Sequence, residues 1–371
     1  MIKVIEFIHG LNMGGAETLV KDYALLLNKE EFDVTVLCLE HCDSPYEKIL
    51  AEAKVRTIFI QDLMTTRDKK SIPYKCWNYY LRLHYVKKEI HRLKPDVIHV
   101  HLSLNHYIRF VKPDRNTRIF YTQHNDVYRW KNTYQGDVKA LKWLVSHYRT
   151  KLIAINAGMK KELDNLFGQN ITVVLKNGID QSLYHMPYNK EKKRKDLGIE
   201  EDTFLIVHVG RFSDVKNHQF LLKVFSELKK KKQNAILLMV GKGENEQNIR
   251  HQAIELGISD SIRIFNDRMD VSEILQAADA AIFPSISEGL GISVIEMQVA
   301  GLPCVVSTAV PRDTCISNKI RYVSLELPPK KWVEELLNLV ADNAPICYNN
   351  LDEWELSESV RRLGKMYKGE I

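Results

Sequence analysis

Two carboxylates frame a glycine-rich turn between Ser285 and Ser307, in a stretch that reads Ser-Ile-Ser-Glu-Gly-Leu-Gly-Ile-Ser-Val-Ile-Glu-Met-Gln-Val-Ala-Gly-Leu-Pro-Cys-Val-Val-Ser. Glu288 stands just before the turn and Glu296 beyond it. The apolar run Ala280 to Phe283 reads as a buried strand, and Gly289 and Gly291 open a helix whose Ile292, Ile295 and Val299 share one face. Gly301 and Pro303 stop that helix, and Cys304 to Val306 begin the next strand. Bare backbone amides at such a helix start bind anions, because the helix N-terminus carries roughly half a positive charge. A carboxylate beside a phosphate repels it. Two flanking acids are better explained by hydroxyls on either side of the anion, and a molecule with a sugar at each end of a diphosphate has that shape. The alternative is a plain strand–turn–helix with two incidental surface acids.

Breaking a sugar–diphosphate bond develops charge on the leaving phosphate, which a divalent metal or fixed cations must stabilise. The sequence shows no Asp-x-Asp after a strand and no His/Cys cluster with ligand spacing. It does place Arg211 and Lys216 directly after an apolar run, in Gly210-Arg211-Phe-Ser-Asp-Val-Lys216-Asn217. Arginine grips two oxygens and lysine supplies a point charge. Read alone, the two cations are also compatible with surface charges at a strand end.

The string Ser-Glu-Gly-Leu-Gly, seven residues between Glu288 and Glu296, then Ala-Gly-Leu-Pro, resembles the donor-binding motif of glycosyltransferase family 4. Those are retaining, nucleotide-sugar-dependent enzymes of the GT-B fold, which has two Rossmann-like α/β domains facing a central cleft. Gly-Arg-x4-Lys-Asn is similar to the family's Gly-Arg-x4-Lys-Gly, whose Arg and Lys hold the donor diphosphate without metal; Asn217 departs from the commoner glycine. Gly14-Gly15-Ala16-Glu17 resembles the family's first loop, near donor phosphate and acceptor. His124, ending Phe120-Tyr-Thr-Gln-His-Asn125, matches the family histidine that contacts the donor sugar. The resemblance implies that Arg211, Lys216 and the amides of Gly289, Leu290, Gly291 and Ile292 hold the diphosphate, with Gly210 at the turn. It implies that Glu296 takes the ribose hydroxyls, that Glu288 and His124 take the transferred sugar, and that Gly15 supports the phosphate or acceptor side. Backbone near Asp267 to Asp270 then meets the base. The co-substrate would be a nucleotide-diphosphate sugar, with no cofactor and no metal. The variant Glu-Gly-Leu with Ala-Gly-Leu-Pro-Cys looks closest to enzymes of bacterial capsule and exopolysaccharide assembly. Two other readings stay open: a GT-B nucleotide-sugar 2-epimerase, and a non-catalytic nucleotide-sugar-binding subunit of a transferase complex.

Short apolar runs alternate with helical segments along the whole chain: Ile2–Ile8, Val34–Leu39, Val55–Ile60, Val97–His101, Ile119–Gln123, Leu152–Ile155 and Val173–Leu175, then Phe204–Val209, Ala235–Val240 and Ile262–Phe265. Such alternation argues for parallel sheets covered on both faces, with ligands beyond the carboxyl ends of the strands. Gly14, His101 and His124 fall at such ends. Residues 1–184 form the expected first, acceptor-side domain and 185–351 the donor-side domain, with a final helix over 352–371 crossing back.

The 371 residues suit two domains, each with its own core, and 45% hydrophobic with 27% charged residues excludes a mostly disordered chain. A net charge of +6 favours anionic ligands or an anionic membrane surface, but the basic residues are too dispersed for a nucleic-acid binder. Arg67 to Lys94 is basic and interleaved with Trp77, Tyr79, Tyr80 and Tyr85. It reads as a helix packing its aromatics inward, with an interfacial surface for anionic lipids as the alternative. Six scattered cysteines without Cys-x-x-Cys, three of them in or beside apolar segments, suggest buried free thiols in a reducing cytoplasm. The N-terminus is too short and acidic for a signal peptide, and no apolar run approaches the roughly 20 residues of a spanning helix. The expected location is the cytoplasm, with any membrane contact peripheral.

Overall fold

The computed structural model describes residues 1–64, 72–186 and 188–371. Arg67, Asp68, Lys69, Lys70 and the Lys75 side chain, part of the basic stretch, lie outside the described residues. By internal packing the chain divides into two units, Met1–Gly178 with Ser357–Ile371, and Ile179–Leu356. The sequence expects these switches at 184/185 and 351/352. The structure puts Ile179 beside the returning chain, its N–H donating to Trp354 O at 2.8 Å while Leu356 N–H donates to Ile179 O at 3.0 Å.

The first unit is built on seven strands: β1 (Ile2–Ile8), β2 (Phe32–Cys38), β3 (Arg56–Phe59), β4 (Val97–His101), β5 (Arg118–Gln123), β6 (Thr150–Ala154) and β7 (Thr172–Val174). They lie in the order β3-β2-β1-β4-β5-β6-β7, and every pair is parallel. The second unit has β8 (Leu205–Val209), β9 (Ile236–Val240), β10 (Ile262–Phe265), β11 (Ala280–Phe283), β12 (Cys304–Ser307) and β13 (Ile320–Val323), in the order β10-β9-β8-β11-β12-β13, again parallel. This is the GT-B pair of doubly wound sheets. In each sheet the order reverses once, between β1 and β4 and between β8 and β11. Adjacent crossovers leave on opposite faces there and open a crevice at the strands' carboxyl ends.

Both faces of each sheet are covered. In the second unit one core gathers Phe212, Leu221, Phe225, Ile282 and Trp332, and the other gathers Val207, Leu238, Phe283, Val294 and Met297. Strands buried on two sides are mostly apolar, which is why β9 and β11 read as unbroken runs and β8 as one interrupted only by His208. The four-residue β13, with Arg321 and Tyr322 inside it, carries no such run and was not anticipated.

Two expectations are corrected. The helix Ile292–Val299 buries Val294, Ile295, Met297 and Gln298, not the face through Ile292 and Val299. Gln298 takes a core position because its amide is fully used: Oε1 accepts from Ile316 N, Ser317 N and Ser317 Oγ, and Nε2 donates to Val294 O and Thr314 O. The helix Ile72–Leu93 packs inward through Leu83, Val86 and Ile90, while Trp77, Tyr79 and Tyr80 are 51%, 47% and 53% exposed. Tyr79 and Tyr80 stand four and three residues before Leu83 and so continue its stripe, but in those earlier turns that face is only partly covered. All six cysteines are free, as expected, but only Cys38 and Cys304 are buried, while Cys76, Cys315 and Cys347 are exposed.

Candidate active site

In the second unit β8 ends at Val209 and the chain turns at Gly210, where a Cβ would lie 3.2 Å from Lys216 Cε. The missing side chain lets the lysine stem lie across the strand end. The next strand's turn presses in from the side: a Cβ on Gly241 would meet Gly210 O at 2.0 Å, and one on Gly243 would meet Phe212 O at 2.4 Å. Gly210 N–H donates to Val240 O at 2.9 Å and Phe212 N–H to Lys242 O at 3.1 Å, locking the two turns together. A single turn of 3-10 helix, Asp214–Lys216, then presents the lysine, and Asn217 follows at φ 55°. That left-handed conformation explains the departure from glycine, since asparagine is the non-glycine residue that adopts it most readily.

Lys216 Nζ lies 2.7 Å from Glu288 Oε1 and 4.6 Å above the centre of the Phe283 ring. Its side chain is 17% exposed and that of Glu288 10%, so the pair is largely sheltered from water at the β8/β11 reversal. Behind it His208 donates Nδ1–H to Ile282 O at 3.0 Å, and its buried Nε2 has no hydrogen-bond partner. Buried unpartnered polar atoms are uncommon, and each asks for an explanation. Arg211 pairs with Glu244 at 3.1 Å, with side chains 70% and 57% exposed, so its guanidinium stands in solvent. Gly291, at φ 87°, is the N-cap of the helix Ile292–Val299, and its ideal Cβ position is 3.7 Å from Glu288 Cγ. Leu290 is buried, while Gly289 and Ile292 are half-buried. Glu296 is half-buried one turn into that helix, and its charge, after burial, helps raise the pKa of Tyr184. Asp267, at φ 52°, follows β10 and accepts from Lys242 Nζ at 3.2 Å. The structure therefore brings together Gly210, Lys216, Glu288 and Gly291, with Arg211 and Asp267 on adjoining turns.

In the first unit Gly15 is the exposed first residue of the helix Gly15–Leu26. His124 follows β5 and is partly exposed; its Nε2 lies 3.0 Å from His101 Nδ1. His101 belongs to a buried cluster that sequence reasoning missed. Glu6 on β1 and His99 on β4 are register partners, and His101 lies two residues on, on the same face. His101 Nε2 is 2.7 Å from Glu6 Oε2, and Tyr367 OH donates to Glu6 Oε1 at 2.7 Å. His99 Nδ1 lies 2.5 Å from Tyr367 OH and its Nε2 lies 2.7 Å from Thr122 Oγ1. The expectation of no ligand-spaced cluster is corrected here, because Glu6, His99 and His101 each offer a ligand atom within 4.8 Å of the others. The cue in the sequence was polar residues inside apolar strands, Glu6 in Ile2–Ile8 and two histidines in Val97–His101. Burial alone would raise the Glu6 pKa, but His99 and the hydrogen bond from His101 hold it well below the carboxylate range. Burial, helped by His99, brings His101 down to about 4 against the pull of Glu6. Burial and the neighbouring His101 and His99 keep His124 well below the usual imidazole value.

Comparison with known proteins gives the same picture. Residues 13–183 match the family model described as Glycosyltransferase Family 4, and residues 189–353 match that of Glycosyl transferases group 1. The chain is 26% identical to the capsular polysaccharide biosynthesis glycosyltransferase CapH of Staphylococcus aureus, over 99% of each. It is 25% identical, over 81% of this chain and 78% of the other, to an Escherichia coli UDP-Gal:alpha-D-GlcNAc-diphosphoundecaprenol alpha-1,3-galactosyltransferase. The crystal structure of Anabaena HepE in complex with UDP and glucose superposes with a TM-score of 0.74 at 16% identity, covering 99% of this chain and 95% of that one.

Proposed function

We propose that this chain, which belongs to glycosyltransferase family 4, moves a hexose or N-acetylhexosamine from a UDP-sugar to a glycan or lipid-linked sugar acceptor, in the assembly of a surface polysaccharide. The transfer retains anomeric configuration and uses no metal ion. The observation that carries the reading is the largely sheltered Lys216–Glu288 pair, 2.7 Å apart over Gly210 at the β8/β11 reversal. A cation and a carboxylate at one crevice suit a ligand that is anionic at its centre and hydroxylated at its ends.

In this reading Lys216 and Arg211 take the diphosphate oxygens and stabilise the charge that grows on the leaving phosphate. Both cations have carboxylate partners now, Glu288 and Glu244, which a diphosphate would displace. Backbone amides of Gly289 to Ile292 add donors at a helix start. Glu288, once released, accepts from hydroxyls of the transferred sugar, Glu296 accepts from the ribose, and the chain around Asp267 meets the base. His124 positions the sugar and Gly15 the phosphate or acceptor side. The galactosyltransferase relative, whose name specifies a diphosphoundecaprenol-linked acceptor, supports a lipid-linked acceptor. So do the exposed Trp77, Tyr79 and Tyr80 beside exposed Lys87 and Lys88, a composition that suits peripheral contact with an anionic membrane at its cytoplasmic face. No described helix is long and apolar enough to cross a membrane.

A thermal-shift panel of UDP-, GDP- and ADP-sugars tests the donor, because a ligand that binds the folded state raises its melting temperature. The UDP-sugar is expected to give the largest shift, undiminished by a chelator. A larger shift with GDP- or ADP-sugars, or a shift abolished by chelation, would overturn the donor or the metal independence respectively.

A further inference from the structure

The cluster around Glu6 ends on His124, and the direction of its hydrogen bonds follows from its chemistry. Tyr367 has one hydroxyl proton and gives it to Glu6 Oε1 at 2.7 Å. At its 2.5 Å contact with His99, the Tyr367 oxygen therefore accepts and His99 Nδ1–H donates. Glu6 is wholly buried, yet the neighbouring His99 and His101 hold its carboxyl ionised, so it is an acceptor at both oxygens. His101 must then donate Nε2–H to Glu6 Oε2 at 2.7 Å. His101 is itself fully buried beside His99, and burial keeps its ring neutral. A neutral imidazole that donates at one nitrogen accepts at the other. His101 Nδ1 is consequently the acceptor in the 3.0 Å contact, and His124 Nε2–H is the donor.

We propose that Glu6 and His101 are positioning residues that hold His124 as its Nε2–H tautomer, leaving Nδ1 as a fixed hydrogen-bond acceptor. The imidazole then accepts from a hydroxyl of the bound sugar and cannot donate to it. This consequence rests on the reading of His124 as a sugar contact; the tautomer itself does not. Tyr367 ties the carboxylate to the last helix, Leu356–Lys368, so the orientation of His124 is anchored by residues from both ends of the chain. The same cluster has metal-ligand geometry, but every ligand atom in it is already a hydrogen-bond partner: Glu6 Oε2 of His101, His101 Nε2 of Glu6, and the two ring nitrogens of His99 of Tyr367 and Thr122.

Long-range 1H–15N spectra of the histidine-labelled full chain at pH 7.5 read the tautomer directly and need no variant. His124, assigned as the resonance lost in His124→Ala, is expected to carry its proton on Nε2 alone. In His101→Phe the His124 signal is expected to become a mixture of tautomers. Sugar-transfer turnover should then fall by about 10- to 100-fold, the scale reached by outer partners of a functional histidine. The Kd for UDP should stay within about twofold, since Arg211, Lys216 and Glu288 are in the other unit. A proton on His124 Nδ1, or on both nitrogens, would overturn the proposal. So would one equivalent of zinc retained by the native chain, which would make His101 a ligand instead of a donor. A folded His101→Phe with native turnover and an unmixed Nε2–H signal would remove His101 from the role. If that variant does not fold, the native spectrum decides. Full transfer by His124→Ala would sink the sugar contact alone, with the tautomer still judged by the spectrum.

Discussion

Replacing Lys216 by alanine removes the cation that the second unit holds over its strand ends. Two unit charges 4 Å apart attract by about 4 kcal/mol at the effective dielectric of a site near the surface. The lysine is 17% exposed and keeps Glu288 within 2.7 Å, so water and a competing carboxylate both weaken its hold on a diphosphate. Taking roughly a third off the Coulomb figure leaves about 2.7 kcal/mol, or 100-fold in turnover at 1.36 kcal/mol per tenfold. Loss of a single oxyanion donor costs about as much in well-studied enzymes. The substitution also strips Glu288, 10% exposed, of its partner, at a stability cost of about 1–2 kcal/mol. The assay is transfer of labelled sugar from the UDP-sugar under saturating donor, with thermal unfolding run in parallel to separate chemistry from folding. A folded Lys216→Ala chain that turns over within threefold of the native rate would refute the assignment of the anion pocket.

Glu288→Gln should move binding and turnover in opposite directions. Freeing Lys216 and deleting a negative charge beside the diphosphate is expected to tighten UDP by about fivefold, roughly the worth of one surface ion pair, while transfer falls by at least about tenfold; weaker UDP binding by calorimetry would contradict this. His101 and His218, both lowered to about 4 mainly by burial, refuse in the folded chain a proton that the unfolded chain takes near 6.5. Stability is therefore expected to be flat above pH 6.5 and to fall as pH drops from 6.5 towards 4, by about 1.4 kcal/mol per pH unit for each histidine in its own unit; urea unfolding that is unchanged between pH 7 and 5 would count against their burial as neutral rings. Gly243→Ala, whose Cβ would meet Phe212 O at 2.4 Å, should destabilise the second unit by about 1–3 kcal/mol and weaken UDP. Gly136→Ala meets nothing within 4 Å and should melt at or above the native temperature; equal losses in the two variants would refute the close-approach argument.

Much of the second unit was legible because its chemistry is contiguous. Gly210 to Asn217 and Glu288 to Glu296 are each a single turn and its flanks, so a string of residue types reports a local shape. What the string could not report is which groups touch. That Lys216 pairs with Glu288, 72 positions on, follows from β8 and β11 being neighbours, and only the sheet order supplies that. Helix Ile292–Val299 shows the limit of periodicity. A glutamine with five satisfied hydrogen-bond partners outcompeted two apolar side chains for the core-facing position, and no hydropathy pattern encodes the partners. The aromatics of Ile72–Leu93 failed for a related reason, since composition names sticky residues without saying which turn of the helix meets the sheet.

The two units treat a carboxylate in opposite ways, and the contrast follows from what surrounds each. Glu6 is fully buried, 93 positions from His99 and 361 from Tyr367, and is held by donors from β4 and the last helix. A charge sealed in that way cannot be released without several kcal/mol of desolvation going uncompensated, so its role must be static: to orient what lies next to it. Glu288 keeps a little access to water and pairs with Lys216, a partner that an incoming anion can exchange. A carboxylate that can let go of its lysine suits a ligand that arrives with its own anion and hydroxyls. One that cannot let go suits a histidine whose proton must always be on the same nitrogen. Glu6→Gln separates the cases: it removes the charge and keeps an amide oxygen to accept from His101. If orientation is all that Glu6 supplies, that variant should retain the His124 Nε2–H signal whenever its oxygen faces His101, whereas Glu6→Leu, of similar bulk and no acceptor, should lose it.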